Sequence, residues 1–183
     1  MNPQLPTILG REIVSQSAYV IVEALDLQFS NGARRRFERI APNGTNAAVL
    51  VVPMLDPDTV LLVREYACGM HRYELGLPKG QVPQGEDLLA GANRELMEET
   101  GYGARKLERL TAMTIAPAYI AHASEIVLAE ELYPESREGD EPEALEVVPW
   151  SLRRLDELLG SGECSEARTI AALYMVKDRY RRL

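Results

Sequence analysis

The N-terminal part of the chain alternates between apolar and polar positions, as a strand with one exposed face does. Residues 11–28 fit a single strand on this pattern. Asn31-Gly32 follows as a strong turn signal, and residues 33–40 are predicted to form the returning strand. Residues 1–45 are therefore predicted to be an N-terminal antiparallel strand region.

The pattern then changes to one of buried strands and amphipathic helices. Residues 47–55 are continuously apolar, which is typical of a strand buried on both faces. Residues 87–100 show the period of a helix, and Gly101 is a C-terminal stop signal. Residues 46–183 are therefore predicted to form a domain with a mixed sheet and helices packed against it. The other predicted elements are strands at 59–66, 107–115 and 125–129, an acidic loop at 133–146, and helices at 151–159 and 166–181.

Composition and charge narrow the classes of function. The chain has 183 residues, of which 26% are charged, and a formal net charge of −8. This acidic balance argues against binding to long nucleic acids, which depends on Lys and Arg neutralising phosphates. The longest apolar stretch is too short to cross a bilayer, the N-terminus has no secretory-signal pattern, and Cys68 and Cys164 lie far apart. We therefore expect a cytoplasmic protein with reduced thiols and with no membrane or nucleic-acid partner.

An acidic cluster stands out on the helix predicted over residues 87–100. Glu95, Glu98 and Glu99 fall within an arc of roughly 100° on such a helix, and Arg94 is the adjacent basic residue. Like charges at these spacings destabilise a helix unless a positive group lies among them. Mg²⁺ favours carboxylate oxygens and usually shares its coordination shell with substrate phosphates. The cluster therefore predicts a Mg²⁺ site, with a solvated acidic helix face as the alternative.

The residues around this cluster have a characteristic spacing. Glu86 follows Gly80 after five residues, and Arg94 follows Glu86 after seven more. Residues 80–102 thereby resemble the signature of the Nudix hydrolase family, with every charged and glycine position intact. Only Tyr102 departs from that signature, because the family favours a bulky aliphatic residue there. The remaining matching positions are Glu95, Leu96, Glu98, Glu99 and Gly101.

The resemblance implies an α/β/α sandwich with a mixed β-sheet. It also implies hydrolysis of a nucleoside diphosphate that is linked to another group. Glu95, Glu98 and Glu99 are implied to bind the metal, either Mg²⁺ or Mn²⁺, and the backbone carbonyl of Lys79 or Gly80 is implied to complete the site.

The resemblance gives supporting roles to other residues of the signature. Glu86 and Arg94 are implied to pair and to hold the loop against the helix. Arg94 would then orient the metal ligands rather than bind metal itself. Gly80, Glu86 and Gly101 are implied to have structural roles.

The general base and the substrate contacts stay open at this point. Glu98 is one candidate base. The alternative is Glu141 or Glu143, since relatives that cleave ADP-ribose use a glutamate from a mobile loop at this place in the chain. Arg64 suits bidentate phosphate recognition, and Glu74 lies just before the signature loop. Both are candidate substrate-binding residues, with ordinary strand charges as the alternative.

The resemblance covers nearly the whole chain for those family members that hydrolyse ADP compounds. It implies ADP-ribose, NADH and diadenosine polyphosphates as substrates, with AMP as a product. Pro117 lies sixteen residues after Gly101, where relatives that cleave ADP-ribose carry a specificity marker. It also implies a homodimer in which the N-terminal strand region reaches over the partner. The matching stretches include residues 29–32, 64–67, 73–76, 132–136, 138–143 and 166–168.

Three other functions share the signature. A hydrolase of RNA 5′ ends is disfavoured by the acidic balance of the chain. A non-catalytic nucleotide sensor is disfavoured because the glutamates of the signature are intact. A hydrolase of oxidised nucleoside triphosphates is disfavoured by the long N-terminal strand region. The sequence does not rank the ADP compounds among themselves.

Overall fold

The computed structural model describes residues 4–181, and the chain forms two compact units. The first unit comprises the chain up to Thr45 together with Thr114–Ala123, and the second comprises Asn46–Met113 and Ser124–Leu183. The boundary predicted from the sequence lies at residue 45 and leaves Thr114–Ala123 in the second domain. In the structure this segment belongs to the first unit. Its membership depends on contacts between residues far apart in the chain, such as the hydrogen bond from Ile40 N–H to the Tyr119 carbonyl (2.8 Å).

The first unit contains a three-stranded antiparallel sheet in the order β1-β2-β3. The strands are β1 Thr7–Gln16, β2 Val20–Gln28 and β3 Arg34–Pro42. The predicted single strand over residues 11–28 is wrong, because the chain reverses between β1 and β2. Ser17 closes this turn, since its hydroxyl accepts a hydrogen bond from the Val20 N–H (3.1 Å). The turn at Asn31-Gly32 and the returning strand are confirmed.

Over residues 46–181, the described part of the second unit contains two sheets and three α-helices. The first sheet is mixed, has the order β7-β4-β9-β8, and places β4 parallel to β9. The other has the order β10-β5-β6 and is antiparallel. The strands are β4 Ala47–Pro53, β5 Thr59–Ala67, β6 Arg72–Gly76, β7 Lys79–Val82, β8 Tyr102–Thr114, β9 Ala123–Pro134 and β10 Glu146–Ser151; the helices are α1 Leu88–Thr100, α2 Leu155–Ser161 and α3 Ala167–Arg181, with a 3₁₀ turn at Leu152–Arg154.

Strand β4 divides the core of the second unit into two layers. Val49 and Val51 pack in one cluster with Ala92 and Leu96 of α1. Leu50, with Val52 and Met54, packs in a second cluster with residues of α2 and α3. Alternate residues of a strand point to opposite faces, so a continuous apolar run serves both layers. The predicted α/β/α sandwich with a mixed β-sheet is confirmed.

Several short elements of the second unit were not predicted. Strands β6, β7 and β10 lie in segments that are polar or contain Gly and Pro. The partners of β7 and β10 are distant in sequence, whereas β6 forms a hairpin with β5. The acidic loop has no regular secondary structure over residues 135–145, in line with the prediction. Within residues 4–181, no helix has the length and apolar character needed to cross a bilayer.

Candidate active site

Helix α1 carries the acidic cluster, and local signals fix both of its ends. The Asp87 side chain accepts hydrogen bonds from the N–H groups of Leu89 (3.1 Å) and Ala90 (3.0 Å), which caps the N-terminus. Gly101 ends the helix in the left-handed conformation, with φ of 74°, and its N–H donates to the Met97 carbonyl. The predicted stop at Gly101 is confirmed. The capped helix fixes which glutamates share a face.

Arg94 connects the glutamates of the signature to one another. Its Nη1 donates to Glu95 (2.8 Å) and to Glu98 (2.9 Å). Its Nε and Nη2 each donate to one carboxylate oxygen of Glu86 at 3.2 Å, so the pair implied by the resemblance is present. Nη2 also donates to the Gln81 carbonyl in β7 (2.9 Å). The bonds to Glu86 and the neighbouring glutamates raise the pKa of Arg94 above its usual value. Arg94 thereby joins the strand, the loop and the helix.

Gly80 lies directly against the carboxylate of Glu95. A Cβ atom at Gly80 would lie 2.1 Å from the carboxyl carbon of Glu95, a distance that side chains do not adopt. Next to it, the backbone N–H of Lys79 is 3.3 Å from each carboxylate oxygen of Glu99. The start of β7 therefore contacts two of the predicted ligands with its backbone alone.

Burial makes two of these carboxylates costly to ionise. Glu99 is 5% exposed and Glu95 is 9% exposed. Burial, reinforced by the charges of Glu65 and Glu141 and opposed by Lys79, raises the pKa of Glu99 to about 8. Burial is also the main cause that raises the pKa of Glu95 above its usual value. A buried carboxylate of this kind either holds a proton or requires a positive partner.

The acidic loop, residues 135–145, lines one side of a cleft of about 600 Å³ and the signature lines the other. Glu141 lies on the cleft with Glu95 and Glu98. A Cβ atom at Gly139 would be 2.6 Å from a carboxylate oxygen of Glu141 and 3.5 Å from the Cβ of Glu98. The loop therefore brings Glu141 close to Glu98 of the acidic cluster, and Glu138 and Asp140 of the loop line the same cleft.

Glu143, the other loop candidate, has a different partner. Its carboxylate accepts a hydrogen bond from the Tyr73 hydroxyl of β6 (2.6 Å). This bond is the main cause that raises the pKa of Tyr73 above its usual value. Glu143 does not line the cleft that contains Glu95 and Glu141. The two loop glutamates are thus separated by their contacts, although the sequence offers them as equivalents.

The two predicted substrate-binding residues on the β5–β6 strands are held by other protein groups. Arg64 forms ion pairs with Glu146 (2.7 Å) and Glu163 (3.4 Å). Glu74 accepts hydrogen bonds from the N–H (2.8 Å) and the hydroxyl of Ser165. Although burial opposes ionisation, these bonds and Arg72 lower the pKa of Glu74 below its usual value. Neither residue lines the cleft at the signature, and their contact with substrate stays a prediction.

Pro117 lies in the first unit. It follows Ala116, whose carbonyl accepts a hydrogen bond from the Ile120 N–H (2.8 Å). Pro117, Leu25 and Phe37 line a cavity of about 290 Å³ within that unit. Its role as a specificity marker stays a prediction.

The predicted ligands offer the chemistry that a divalent cation requires. Glu95, Glu98 and Glu99 present only hard oxygen donors, and Gly80 provides the space in which Glu95 lies. Within residues 4–181, however, no three Asp, Glu, His or Cys side chains are arranged so that they could hold a metal ion together. The oxygens are turned instead towards Arg94 and the Lys79 N–H. A cation would therefore bind carboxylates that Arg94 and the Lys79 N–H already orient.

Two side chains near the site were not singled out from the sequence. Tyr73 contacts the acidic loop, and Glu65 of β5 forms an ion pair with the Lys79 ammonium group. Lys79 was predicted to contribute only its backbone. Both residues could have been found from the pairing of β5 with β6. This pairing places Glu65 opposite Glu74 and Tyr66 opposite Tyr73. That pairing is a contact between strands and is not visible in either strand alone.

Comparison with known proteins gives matches to both parts of the chain. Residues 6–39 match the model of the NudE-type Nudix hydrolase N-terminal domain. Residues 44–172 match the model of the NUDIX domain. Together the two models cover β1, β2, most of β3 and the whole of the signature.

Individual relatives are similar over nearly their full length. The chain is 47% identical to the ADP compounds hydrolase NudE of Escherichia coli (strain K12), covering 96% of this chain and 93% of that protein. It is 30% identical to the ADP-ribose pyrophosphatase of Bacillus subtilis (strain 168), covering 90% and 89% respectively. A solved structure described as an ADP compounds hydrolase aligns with a TM-score of 0.89 and 45% identity, covering 100% of this chain and 97% of that one.

Proposed function

Since this chain belongs to the Nudix hydrolase family, we propose that it hydrolyses the diphosphate bridge of ADP-linked compounds and releases AMP. ADP-ribose, NADH and diadenosine polyphosphates are the proposed substrates. Support for the substrate class comes from the relatives named for ADP compounds and ADP-ribose. Support for the chemistry comes from one observation above all: Glu95, Glu98 and Glu141 line a single cleft.

We propose Glu95, Glu98 and Glu99 as ligands for Mg²⁺ or Mn²⁺, with the backbone carbonyl of Lys79 or Gly80 as a further ligand. A divalent cation bound there would offset the negative charge of the diphosphate. The fit is supported by the oxygen-only donor set and by the space that Gly80 leaves for Glu95.

The residues of the chain have distinct parts in the proposed reaction. Arg94 holds Glu95 and Glu98 in place, and the Lys79 N–H holds Glu99. Glu141 takes a proton from the attacking water. The water oxygen bonds to phosphorus, and the bridging P–O bond breaks. Glu141 is preferred over Glu143 because Glu143 is bonded to Tyr73. It is preferred over Glu98 because Glu98 is bonded to Arg94.

A panel of substrates tests this function. The purified protein is incubated with Mg²⁺ or Mn²⁺ and with ADP-ribose, NADH, diadenosine triphosphate, ADP-glucose or an RNA with a 5′ triphosphate, and release of AMP or phosphate is measured. We expect AMP from the ADP compounds, and loss of activity with EDTA and with Glu99→Gln. Glu157→Gln, an exposed glutamate on α2 paired with Arg154, is the control and retains activity. No turnover of any compound, with metal binding intact, contradicts the proposal.

We also propose that the first unit forms a homodimer contact. Its sheet exposes large apolar side chains, among them Ile8, Leu9, Ile13 and Phe37, each more than 40% exposed. Exposed apolar side chains such as these provide the kind of surface that a subunit interface buries. Light scattering tests the proposal, with a mass of two 20.4 kDa chains expected and reduced to one by Ile13→Glu. A wild-type mass of one chain contradicts it.

A further inference from the structure

The first residues of the acidic loop are hydrogen-bonded to helix α1, which carries the acidic residues of the signature. The Glu135 N–H donates to the carbonyl of Gly101 (3.0 Å), and the Arg137 N–H donates to the carbonyl of Met97 (3.3 Å). Both acceptors belong to the C-terminal turn of α1 and its cap. Backbone hydrogen bonds therefore fix the first part of the loop, whatever its side chains are.

The second part of the loop is attached in a different way. The Tyr73 hydroxyl donates a side-chain hydrogen bond to the Glu143 carboxylate (2.6 Å). Hydrogen bonds to charged groups are stronger than those between neutral groups. Glu146 then starts β10, which pairs with β5 opposite Arg64. Tyr73 thus holds the loop between its backbone contacts on α1 and the start of β10.

Glu141 lies between these two attachments and has little freedom relative to Glu143. Only Pro142 separates the two glutamates, and the proline ring fixes its backbone φ angle. Two residues span at most about 7 Å, so the position of Glu143 limits where Glu141 can lie. On the other side, Gly139 lies close to both Glu98 and the Glu141 carboxylate. A restraint on Glu143 is therefore a restraint on Glu141.

We propose that Tyr73 is a positioning residue for the reaction, which acts through Glu143 to hold Glu141 over the glutamates of α1. The proposal rests on the proposed function and on Glu141 as its base. Tyr73 contributes no atom to the reacting groups in this scheme. Its hydroxyl fixes the loop, and the loop fixes the carboxylate that accepts the proton.

Replacement of the hydroxyl tests the proposal most directly. Tyr73→Phe removes only the oxygen that bonds Glu143, and we expect kcat to fall by about three- to tenfold, as loss of one such bond allows. We expect KM and Mn²⁺ affinity to change little, because the ligands on α1 are untouched. The matched control is Tyr174→Phe, which breaks a bond of the same kind to Asp156 (2.9 Å) and retains the wild-type kcat.

Variants of Glu143 separate positioning from proton transfer. Glu143→Gln keeps an oxygen acceptor for Tyr73, so we expect its kcat to stay within about threefold of wild type. Glu143→Ala removes the acceptor and is expected to match Tyr73→Phe. The double variant Tyr73→Phe/Glu143→Ala is expected to lose no more than either single variant, because both break the same bond.

Hydrogen exchange measures how firmly the loop is held and does not depend on turnover. Hydrogen exchange of residues 135–145 in the metal-loaded protein is expected to be faster in Tyr73→Phe than in wild type or Tyr174→Phe. The proposal is overturned by an unchanged kcat or unchanged exchange in Tyr73→Phe, or by losses in the double variant that multiply. A loss in Glu143→Gln as large as that in Glu141→Gln also overturns it, since Glu143 would then be the base. If the wild-type protein turns over none of the substrates, the proposed function itself fails, and this inference with it.

Discussion

Helix α1 and the acidic loop both bring carboxylates to one cleft, but the two elements are held in place in different ways. The helix is capped at both ends, and its carboxylates are held by Arg94 and by the backbone of β7. The loop has no regular structure over residues 135–145, and its contacts described above are two backbone hydrogen bonds and one side-chain bond.

The difference suits two tasks within one reaction. Metal ligands must keep a fixed geometry, which a capped helix with buried carboxylates provides. A group that takes a proton from the attacking water has only to lie within hydrogen-bond reach of it, and a loop attached at its two ends is enough for that. Glu99, which is 5% exposed, fits the first task. Glu141, which lies on a loop with few attachments, fits the second.

The largest expected effect comes from removing the loop carboxylate. Glu141→Gln keeps the shape of the side chain but cannot accept the proton, so we expect kcat to fall by about 10²- to 10⁴-fold. Metal affinity should stay nearly constant, whereas Glu99→Gln should lower both. Steady-state kinetics and calorimetric titration with Mn²⁺ measure the two effects. Glu135→Gln, on the same loop, is the control, and an unchanged rate in Glu141→Gln removes Glu141 from the mechanism.

Two glycines allow the helix side and the loop side to be compared by the same substitution. Gly80→Ala would place a methyl group 2.1 Å from the carboxyl carbon of Glu95, and Gly139→Ala would place one 2.6 Å from an oxygen of Glu141. Because Arg94 holds Glu95 in place, we expect Gly80→Ala to lower metal affinity or activity by about 10- to 100-fold.

Gly139→Ala should cause a smaller loss of activity, since the Glu141 side chain can rotate to another rotamer. Metal titration and kinetics of both variants measure the difference. Gly160→Ala is the control, because its added Cβ meets nothing within 4 Å. Equal losses in Gly80→Ala and Gly139→Ala would show that the two carboxylates are equally free to move.

The smallest expected effect concerns the cap of α1 rather than the chemistry. Asp87→Ala removes the side chain that accepts from Leu89 and Ala90, and such a change costs about 1 kcal/mol in the free energy of unfolding. Urea denaturation measures this cost, and Asp87→Asn, which keeps a capping oxygen, should be close to wild type. An unchanged free energy of unfolding in Asp87→Ala contradicts the assignment of the cap.

Helix α1 could be predicted from the sequence because its signals are local. Asp87, Gly101 and the apolar residues between them lie within a single stretch of chain. The turn between β1 and β2 was missed because it contains no Gly, Pro or Asn. Its closure depends on the Ser17 hydroxyl and on Asn43, whose side chain donates to the Ser17 carbonyl (2.8 Å) from 26 residues away.

The difference between the two loop glutamates also depends on contacts that the local sequence does not contain. The spacing of the signature placed Glu95, Glu98 and Glu99 on one helix face, and the structure brings Glu95 and Glu98 to the cleft. Nothing in the loop sequence distinguishes Glu141 from Glu143, because Tyr73 on β6 makes the distinction. Contacts between distant residues thus separate two glutamates that the local sequence leaves equivalent.

Arg94 gives the acidic cluster an internal counter-ion. Its guanidinium group is shared among Glu86, Glu95 and Glu98, so these carboxylates have a positive partner before any metal arrives. We therefore expect the metal-free protein to remain folded, in contrast to small domains whose folding requires a metal. Metal uptake would add a second positive partner to carboxylates that are already held, rather than assemble the site. Its measured affinity would then report what a cation adds beside the guanidinium group.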